Sequence, residues 1–522
     1  MDLKSFQDQV FVAGAEAGFT EMEVYHERQS SFTCSVYQGQ VDGYESADVT
    51  GVSFRGVYQG KMGYAFTERI APDSVGYLIA SARDNASIIG DEDEDDIFPG
   101  GGQYQEADFY ARDLDSVSIE AQIELIKEIE AHARSLDSRV RDINYCAISS
   151  LSMERGICNN AGLDQSDARN NITVYLSVVV AEGGETRTGS AIRVTQDFAT
   201  LKPTEIAAEA VGDALSYLGA RQVANKAYPV ILKNDAAAAL LQTFAPVFSA
   251  ENVQKGMSQL KGKVGTAVGV PGLNIVDDPF LPGGMNSRTF DAEGYPAARR
   301  DIVKDGELQT LLYNRKAARK DGVKSTGHAF KSSYKDAVGI APSNLYIQPA
   351  GLAGAAAGQA AGAGAAGAGA GQGGEVEARQ AAVAGQGGEV EARQAAVAGQ
   401  GGVTGVVGQA GLSSLENRPE PPYAPLLAGI DEGIVITGLS GLHSGANSVS
   451  GDFSLAATGF YVENGAVQSP VNQMTVAGNF FEVLSSIVVI GDDLDFTVPF
   501  LGAPGYVGSP SLLIKGLSIT VD

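Results

Sequence analysis

The sequence predicts an α+β protein, rich in antiparallel sheet and divided into several domains. Three observations point there. Long stretches alternate apolar and polar residues at period two and are punctuated by Gly, the pattern of half-buried strands and hairpins. Amphipathic helical stretches stand between them, without a βαβ rhythm or a phosphate-binding Gly fingerprint. The chain of 522 residues is also too long for one hydrophobic core, so about two to four domains are expected.

The first element is an amphipathic helix, MDLKSFQDQVFVAGAEAG, whose internal acids distinguish it from a secretory leader. EVYHERQSSFTCSVYQGQVDGYESADVTGVSFRGVYQGKMGYAFTE then alternates as strands and hairpins, and a helix is expected near 72–84. The acidic run DEDEDD at 91–96 reads as a solvated loop; a weak divalent-ion site is the sharper reading, but EF-hand spacing is missing. Ser118 is a candidate N-cap for a helix over 119–135, where Ile119, Ile123, Ile126 and Ala133 recur at helical spacing. NNITVYLSVVVAE and TRTGSAIRV follow as strands, and a further helix opens at Pro203 and runs to Leu218 before Gly219. KAYPVILKN at 226–234 reads as a buried strand delivering Asp235 as the N-cap of the helix at 235–256, and the rest is strand-rich. This gives an N-terminal domain over 1–100, a central domain over 101–225 and a C-terminal domain over 226–522.

Residues 351–412 interrupt the last domain. GQGGEVEARQAAVA occurs at 371–384 and again at 385–398, a 14-residue repeat that starts a third time at Gly399. The segment holds no aromatic residue and six charges, so it cannot bury a core of its own. EVEARQAAVA is shorter than the ~12–15 residues an isolated helix needs. The segment reads as a disordered Gly/Ala-rich insertion, with a partner-docking arm as the alternative.

Charge narrows the partners. The formal net charge is −26, with 37 Lys and Arg against 63 Asp and Glu, a field that repels phosphate backbones and anionic membranes. The basic KAARK at 316–320 is short and reads as a solvated face, so neither nucleic acid nor membrane is expected as a partner. No apolar run approaches the ~18 residues of a membrane span. Cys34, Cys146 and Cys158 are odd in number and form no CxxC pair, which suggests a reducing, cytoplasmic setting and thiols packed as small hydrophobes.

Four stretches carry a likeness to a known family: GVSFRGVYQGKMGYA at 51–65, FDAEGYPAARRDIVKDGEL at 290–308, TGHAFKSSY at 326–334 and GLHSGANSVSGDFSLAATGFYVENG at 441–465. Together they resemble the TldD/TldE family, in which TldE is also called PmbA, over nearly everything outside 351–412. The resemblance implies a three-part PmbA/TldD-like subunit that pairs with a relative. In that family the TldD-type subunit carries zinc on a histidine–glutamate–histidine helix, helped by a cysteine near the C-terminus, and the pair degrades or trims unfolded peptides. The helix matching the metal position, with its Lys-Gly landmark at Lys255 and Gly256, reads LLQTFAP here. It has no His, Glu251 is the one acid within reach, Pro246 inside it counts further against a retained ligand helix, and no cysteine follows Cys158. The resemblance therefore implies a TldE/PmbA-like subunit without cofactor, metal ligand or catalytic residue of its own. Its partners would be a zinc-bearing TldD-like subunit and an unfolded peptide.

The remaining candidates for chemistry are sparse. His26, His132, His328 and His443 show neither i,i+4 nor HxH spacing, so they do not suggest a zinc site. No GxSxG elbow occurs, although Ser444 or Ser450 beside His443 is a conceivable nucleophile and base. The corner at 441–453 has two readings. Gly441, Gly445 and Gly451 allow φ > 0 or the close approach of another chain, and Asn447 and Asp452 can bond turn amides, as in a packed loop-to-strand corner. Alternatively His443, Asn447, Ser450, Gly451 and Asp452 line a cleft that holds an extended peptide by its backbone, along the strand starting near Phe453. The leading expectation is a non-catalytic, cleft-forming subunit of a cytoplasmic metallopeptidase. A non-enzymatic interaction protein of gyrase-modulator type and a stand-alone hydrolase with an unrecognised site stay open.

Overall fold

The computed structural model describes residues 1–88, 96–349, 421, 423–497 and 505–521. The insertion at 351–412 and the acids at 91–95 lie outside the described residues.

Strands β1 (Phe19–Tyr37), β2 (Gln40–Tyr58) and β3 (Lys61–Thr67) form an antiparallel meander. Gln38-Gly39 and Gln59-Gly60 make its two-residue turns with positive φ at every position, the geometry that matches strand twist. Strands β4 (Val140–Asn159), β5 (Asp164–Glu182) and β6 (Glu185–Thr195) form a second meander. Pairing of β1 with β4, from Glu23↔Asn159 to Ser35↔Ala147, fuses the two into one sheet of order β3-β2-β1-β4-β5-β6. The N-terminal and central regions thus share a sheet.

Helices α1 (Leu3–Glu16) and α2 (Pro72–Ile88) cover one half through Phe6, Val10, Leu78 and Ala82 against Val24 and Phe54. Helices α3 (Ile119–Leu136) and α4 (Pro203–Ser216) cover the other through Ile126, Ile129, Ala210 and Val211. The Ser118 hydroxyl accepts from Ala121 N at 3.1 Å, capping α3 as the sequence suggests. Cys34, Cys146 and Cys158 are buried free thiols, and burial pushes Cys158 up to about 12.

Gly189 lets α4 lie directly on β6, since a Cβ there would meet Ala214 N at 2.1 Å. In that contact burial pushes the Asp213 carboxyl up to about 7, although it accepts from Ser190 N at 3.2 Å. The folded chain holds a proton there that the unfolded chain has already released. Stability contributed by this group therefore falls as pH rises from the ordinary aspartate range through about 7. Asp213→Asn should flatten the dependence of melting temperature on pH across that window, read as the difference between variant and wild type at each pH. An unchanged slope would show that Asp213 titrates normally.

The C-terminal region supplies two larger sheets and a ribbon. One sheet contains β8 (Ile275–Asp277), β9 (Arg300–Lys304), β10 (Glu307–Leu308), β13 (Asn344–Ile347), β19 (Asp495–Thr497) and β20 (Tyr506–Ser509), in order β10-β9-β8-β13-β20-β19. The ribbon pairs β11 (Ala329–Phe330) with β12 (Gly339–Ile340). The other sheet contains β7 (Lys226–Leu232), β14 (Glu432–Ser440), β15 (Asp452–Glu463), β16 (Ala466–Pro470), β17 (Met474–Asn479), β18 (Ile487–Ile490) and β21 (Leu512–Val521). Its order is β14-β7-β21-β17-β15-β16, with β18 on β21. Pairings are antiparallel except β7–β14 and β13–β20. Helix α5 (Asn234–Phe244) packs against β19 and β20 of one sheet and β7 and β14 of the other, at the centre of the largest core.

Two sequence expectations for this helix need correction. Asp235 is not its N-cap: the helix begins at Asn234, whose N–H and side chain bond Ser511 Oγ and Asp493 O, and Asp235 pairs with Lys233 Nζ at 2.6 Å. Nor does one helix run over 235–256. Pro246, which lacks a backbone donor, turns Ala245–Phe248 into a 3₁₀ segment before α6 (Ala250–Gln254) begins. The solvated readings of 91–96 and 316–320 also miss a contact, because Asp96 pairs with Arg315 at 2.5 Å and with Arg319. Among the described residues no helix is long and apolar enough to cross a membrane.

Candidate functional site

The corner at 441–453 joins β14 to β15 and gathers all five cleft candidates into one loop. It is satisfied mainly by itself. Asn447 Oδ1 accepts from Val449 N at 2.9 Å and Ser450 N at 3.3 Å, while Ser450 O accepts from Gln259 Nε2 and Asn479 Nδ2 at 2.6 and 2.9 Å. Asp452 accepts from Asn479 Nδ2 at 2.9 Å, which holds its carboxyl below the usual range. Gly451 has φ +80°, the left-handed value inferred from SGDF. His443 is exposed and Leu442 faces the core.

The strand-addition reading fails here. Asp452, Phe453 and Ser454 pair with Asn479, Gly478 and Ala477 on one side. On the other, Asn447 N donates to Asp452 O, Ala446 bridges Phe453, and Ser454 N donates to Gly445 O. No open edge remains for a peptide along the start of β15.

The corner does meet the helix α5 that the resemblance matches to the family's metal position. Phe244 stacks on Phe480 with centroids 4.6 Å apart and meets Phe453 at 6.3 Å. Around it Leu241, Ala245, Val247 and Phe248 are core residues, Gln242 is buried with its Nε2 unpartnered, and Glu251 bonds Lys255 at 2.7 Å. Among the described residues no three His, Cys, Asp or Glu side chains gather closely enough to hold a metal ion. These side chains do not fit a zinc ion, which needs three or four such donors.

The other three resemblance-bearing stretches converge on a buried polar junction that the sequence reading did not assemble. Arg55 of β2 reaches Glu23 of β1 at 3.2 Å and Glu293 of FDAEG at 3.5 Å, and both carboxylates are about 1% exposed. Glu293 also accepts from Arg315 N at 2.8 Å. Asp291 accepts from Glu293 N and Tyr295 N, both at 2.9 Å, and from Ala329 N at 3.0 Å; burial still pushes its carboxyl up. Arg155 forks onto Asp167 at 2.7 and 2.8 Å, donates to Phe290 O at 2.7 Å and stacks on the Phe290 ring at 4.6 Å.

TGHAFK closes the junction. His328 Nε2 lies 2.9 Å from Asp277 Oδ2 and Nδ1 lies 2.8 Å from Thr326 Oγ1, while Ser343 donates to Asp277 through N at 2.7 Å and Oγ at 2.6 Å. Burial works to raise the Asp277 carboxyl, but His328 and its other partners hold it below the usual range. Lys331 Nζ donates to Ser53 Oγ at 3.1 Å and sits 4.9 Å from the ring centroids of Tyr25 and Tyr64. Burial, then the Arg55 charge, push Lys331 down to about 8. The Thr–His–Asp chain resembles a proton relay, but its His and Asp are each about 1% exposed. Its visible work is to fasten the 325–343 segment to β8 and, through Lys331, to β2. Each stretch does place a charged residue beside apolar or Gly neighbours, Arg55 after Phe54, Glu293 after Ala292 and Lys331 after Phe330.

The chain belongs to the PmbA/TldD metallopeptidase family. The PmbA/TldA metallopeptidase domain 1 model matches 22–86, the central-domain model 112–218, and the C-terminal-domain model 225–358 and 399–521. The chain is 25% identical to Metalloprotease PmbA of Escherichia coli O157:H7, covering 91% of this chain and 88% of that one. It is similar in structure to a putative modulator of a DNA gyrase from Thermotoga maritima, with TM-score 0.79, 27% identity and coverage of 99% and 100%. TldE from Thermococcus kodakarensis shares the fold at TM-score 0.77 and 20% identity, with coverage of 99% and 100%.

Proposed function

We propose that the chain is the TldE/PmbA-like, non-catalytic member of a cytoplasmic two-subunit peptidase that degrades or matures unfolded peptides, with zinc supplied by a TldD-like partner. One observation carries this reading. Where the family places metal ligands, this chain puts core-packing Leu241, Phe244 and Val247 and a proline break at Pro246. The chain's part is to shape and close the peptide cleft. Its buried polar junction holds the sheet of the first two regions against the C-terminal sheets, so that any wall it offers is rigid.

Purified alone, the chain should contain no stoichiometric zinc and show no chelator-sensitive peptidase activity. Expressed with a TldD-type subunit, it should copurify with it, and zinc and activity should appear together. One equivalent of tightly bound zinc in the isolated chain would sink the proposal.

A further inference from the structure

A pocket of about 390 Å³ opens beside Asp96, lined by Tyr295, Arg315, Arg319, Val323 and Lys324 among others. That volume lies in the lower range of small-ligand sites, about 300–1,000 Å³. Among the described residues its lining carries the cations Arg315, Arg319 and Lys324 and the carboxylate of Asp96. Asp96 spans the two guanidinium groups, Oδ2 on Arg315 and Oδ1 on Arg319. Lys324 has no ion-pair partner among the described residues, and Arg315 Nε has no hydrogen-bond partner. The Arg315 backbone N–H donates to Glu293 at 2.8 Å, which anchors the main chain there, and its guanidinium lies over the Phe98 ring, 5.3 Å from the centroid.

A planar fork held in place is the recognition element for carboxylates. Tyr295 and Val323 add an apolar wall suited to a residue attached to that carboxylate. We infer that this pocket is a peptide-carboxylate site, occupied in the resting chain by the tethered carboxylate of Asp96, which an external peptide displaces. The external carboxylate can come from a peptide's C-terminus or from an acidic side chain. The inference does not depend on the subunit reading, because binding is measured on this chain alone.

The test is calorimetric titration of the full chain with three peptides: a tripeptide with a free C-terminus, its C-terminal amide, and an amide-capped tripeptide carrying one Glu. Asp96→Ala should bind a carboxylate peptide about tenfold more tightly than wild type, since it removes the tethered competitor for charge-assisted hydrogen bonds. Adding Arg315→Gln or Lys324→Gln should reverse most of that gain, and the neutral amide should stay at background. Preference for the free C-terminus or for the Glu peptide names the source, and either supports the site. Should Asp96→Ala not fold, Asp96→Asn takes its place. Binding no tighter than that of the neutral amide, or affinity unchanged by both cation substitutions, overturns the inference.

Discussion

Arg55→Met should cost about 3–5 kcal/mol of folding stability, the usual effect of leaving buried charges without their partner. The methionine fills the space, but Glu23 and Glu293, each about 1% exposed, lose the guanidinium between them. Glu23 has little else to turn to, because its Oε1 already lacks a hydrogen-bond partner. Glu293 keeps the Arg315 N–H and Glu23 keeps the Lys331 charge nearby, so the loss should fall at the lower end if Lys331 moves toward Glu23. Arg55→Met with Glu23→Gln should recover part of the stability, since one uncompensated charge is gone. Thermal melts and limited proteolysis check this: the single variant should melt earlier and be cut between the N-terminal sheet and the C-terminal region. An unchanged melt would show that the junction is held by its backbone contacts and not by the ion pairs.

Local periodicity explains what the sequence made legible. Helices α1 to α4 follow from their apolar spacing, and the Ser118 cap from its chemistry. The β1–β2 meander follows from apolar–polar alternation in its sequence and Gly-containing turns. The β1–β4 pairing was not legible, because Glu23 and Asn159 are far apart in sequence and either strand alone looks like an ordinary hairpin arm. The junction hid for the same reason: Glu23, Arg55 and Glu293, or Asp277, His328 and Ser343, become one network only after the sheets pack. Pro246 stands inside the stretch that reads as one helix over 235–256, and the break at Ala245–Phe248 shows only in the folded backbone. At the corner, SGDF correctly suggested a left-handed Gly451, whereas one of the two filled edges at the start of β15 depends on β17, which lies about 25 residues further along the chain.

The corner should respond to its backbone and not to its imidazole. Gly451 has φ +80°, where a β-branched residue carries strain of about 1–3 kcal/mol. Space is short as well: a Cβ would lie 2.7 Å from Phe481 Cδ2 and 3.0 Å from Asn479 Oδ1. Asn479 is the side chain that ties Ser450 and Asp452 together, and Gly451 O accepts from Phe480 N at 2.7 Å. Gly451→Val must therefore displace the start of the helix Phe480–Ser486, and with it the Phe480 ring stacked on Phe244. Its melting temperature should drop clearly, and turnover of an unfolded peptide by the assembled complex should drop with it. His443→Ala changes an exposed side chain and should stay within about 0.5 kcal/mol of wild type in stability. Its complex should keep activity within a few-fold of wild type. The comparison needs both variants in one assay, with assembly checked by size-exclusion chromatography. If His443→Ala abolishes turnover while the complex still assembles, the imidazole takes part in the chemistry and the non-catalytic assignment of this chain is wrong.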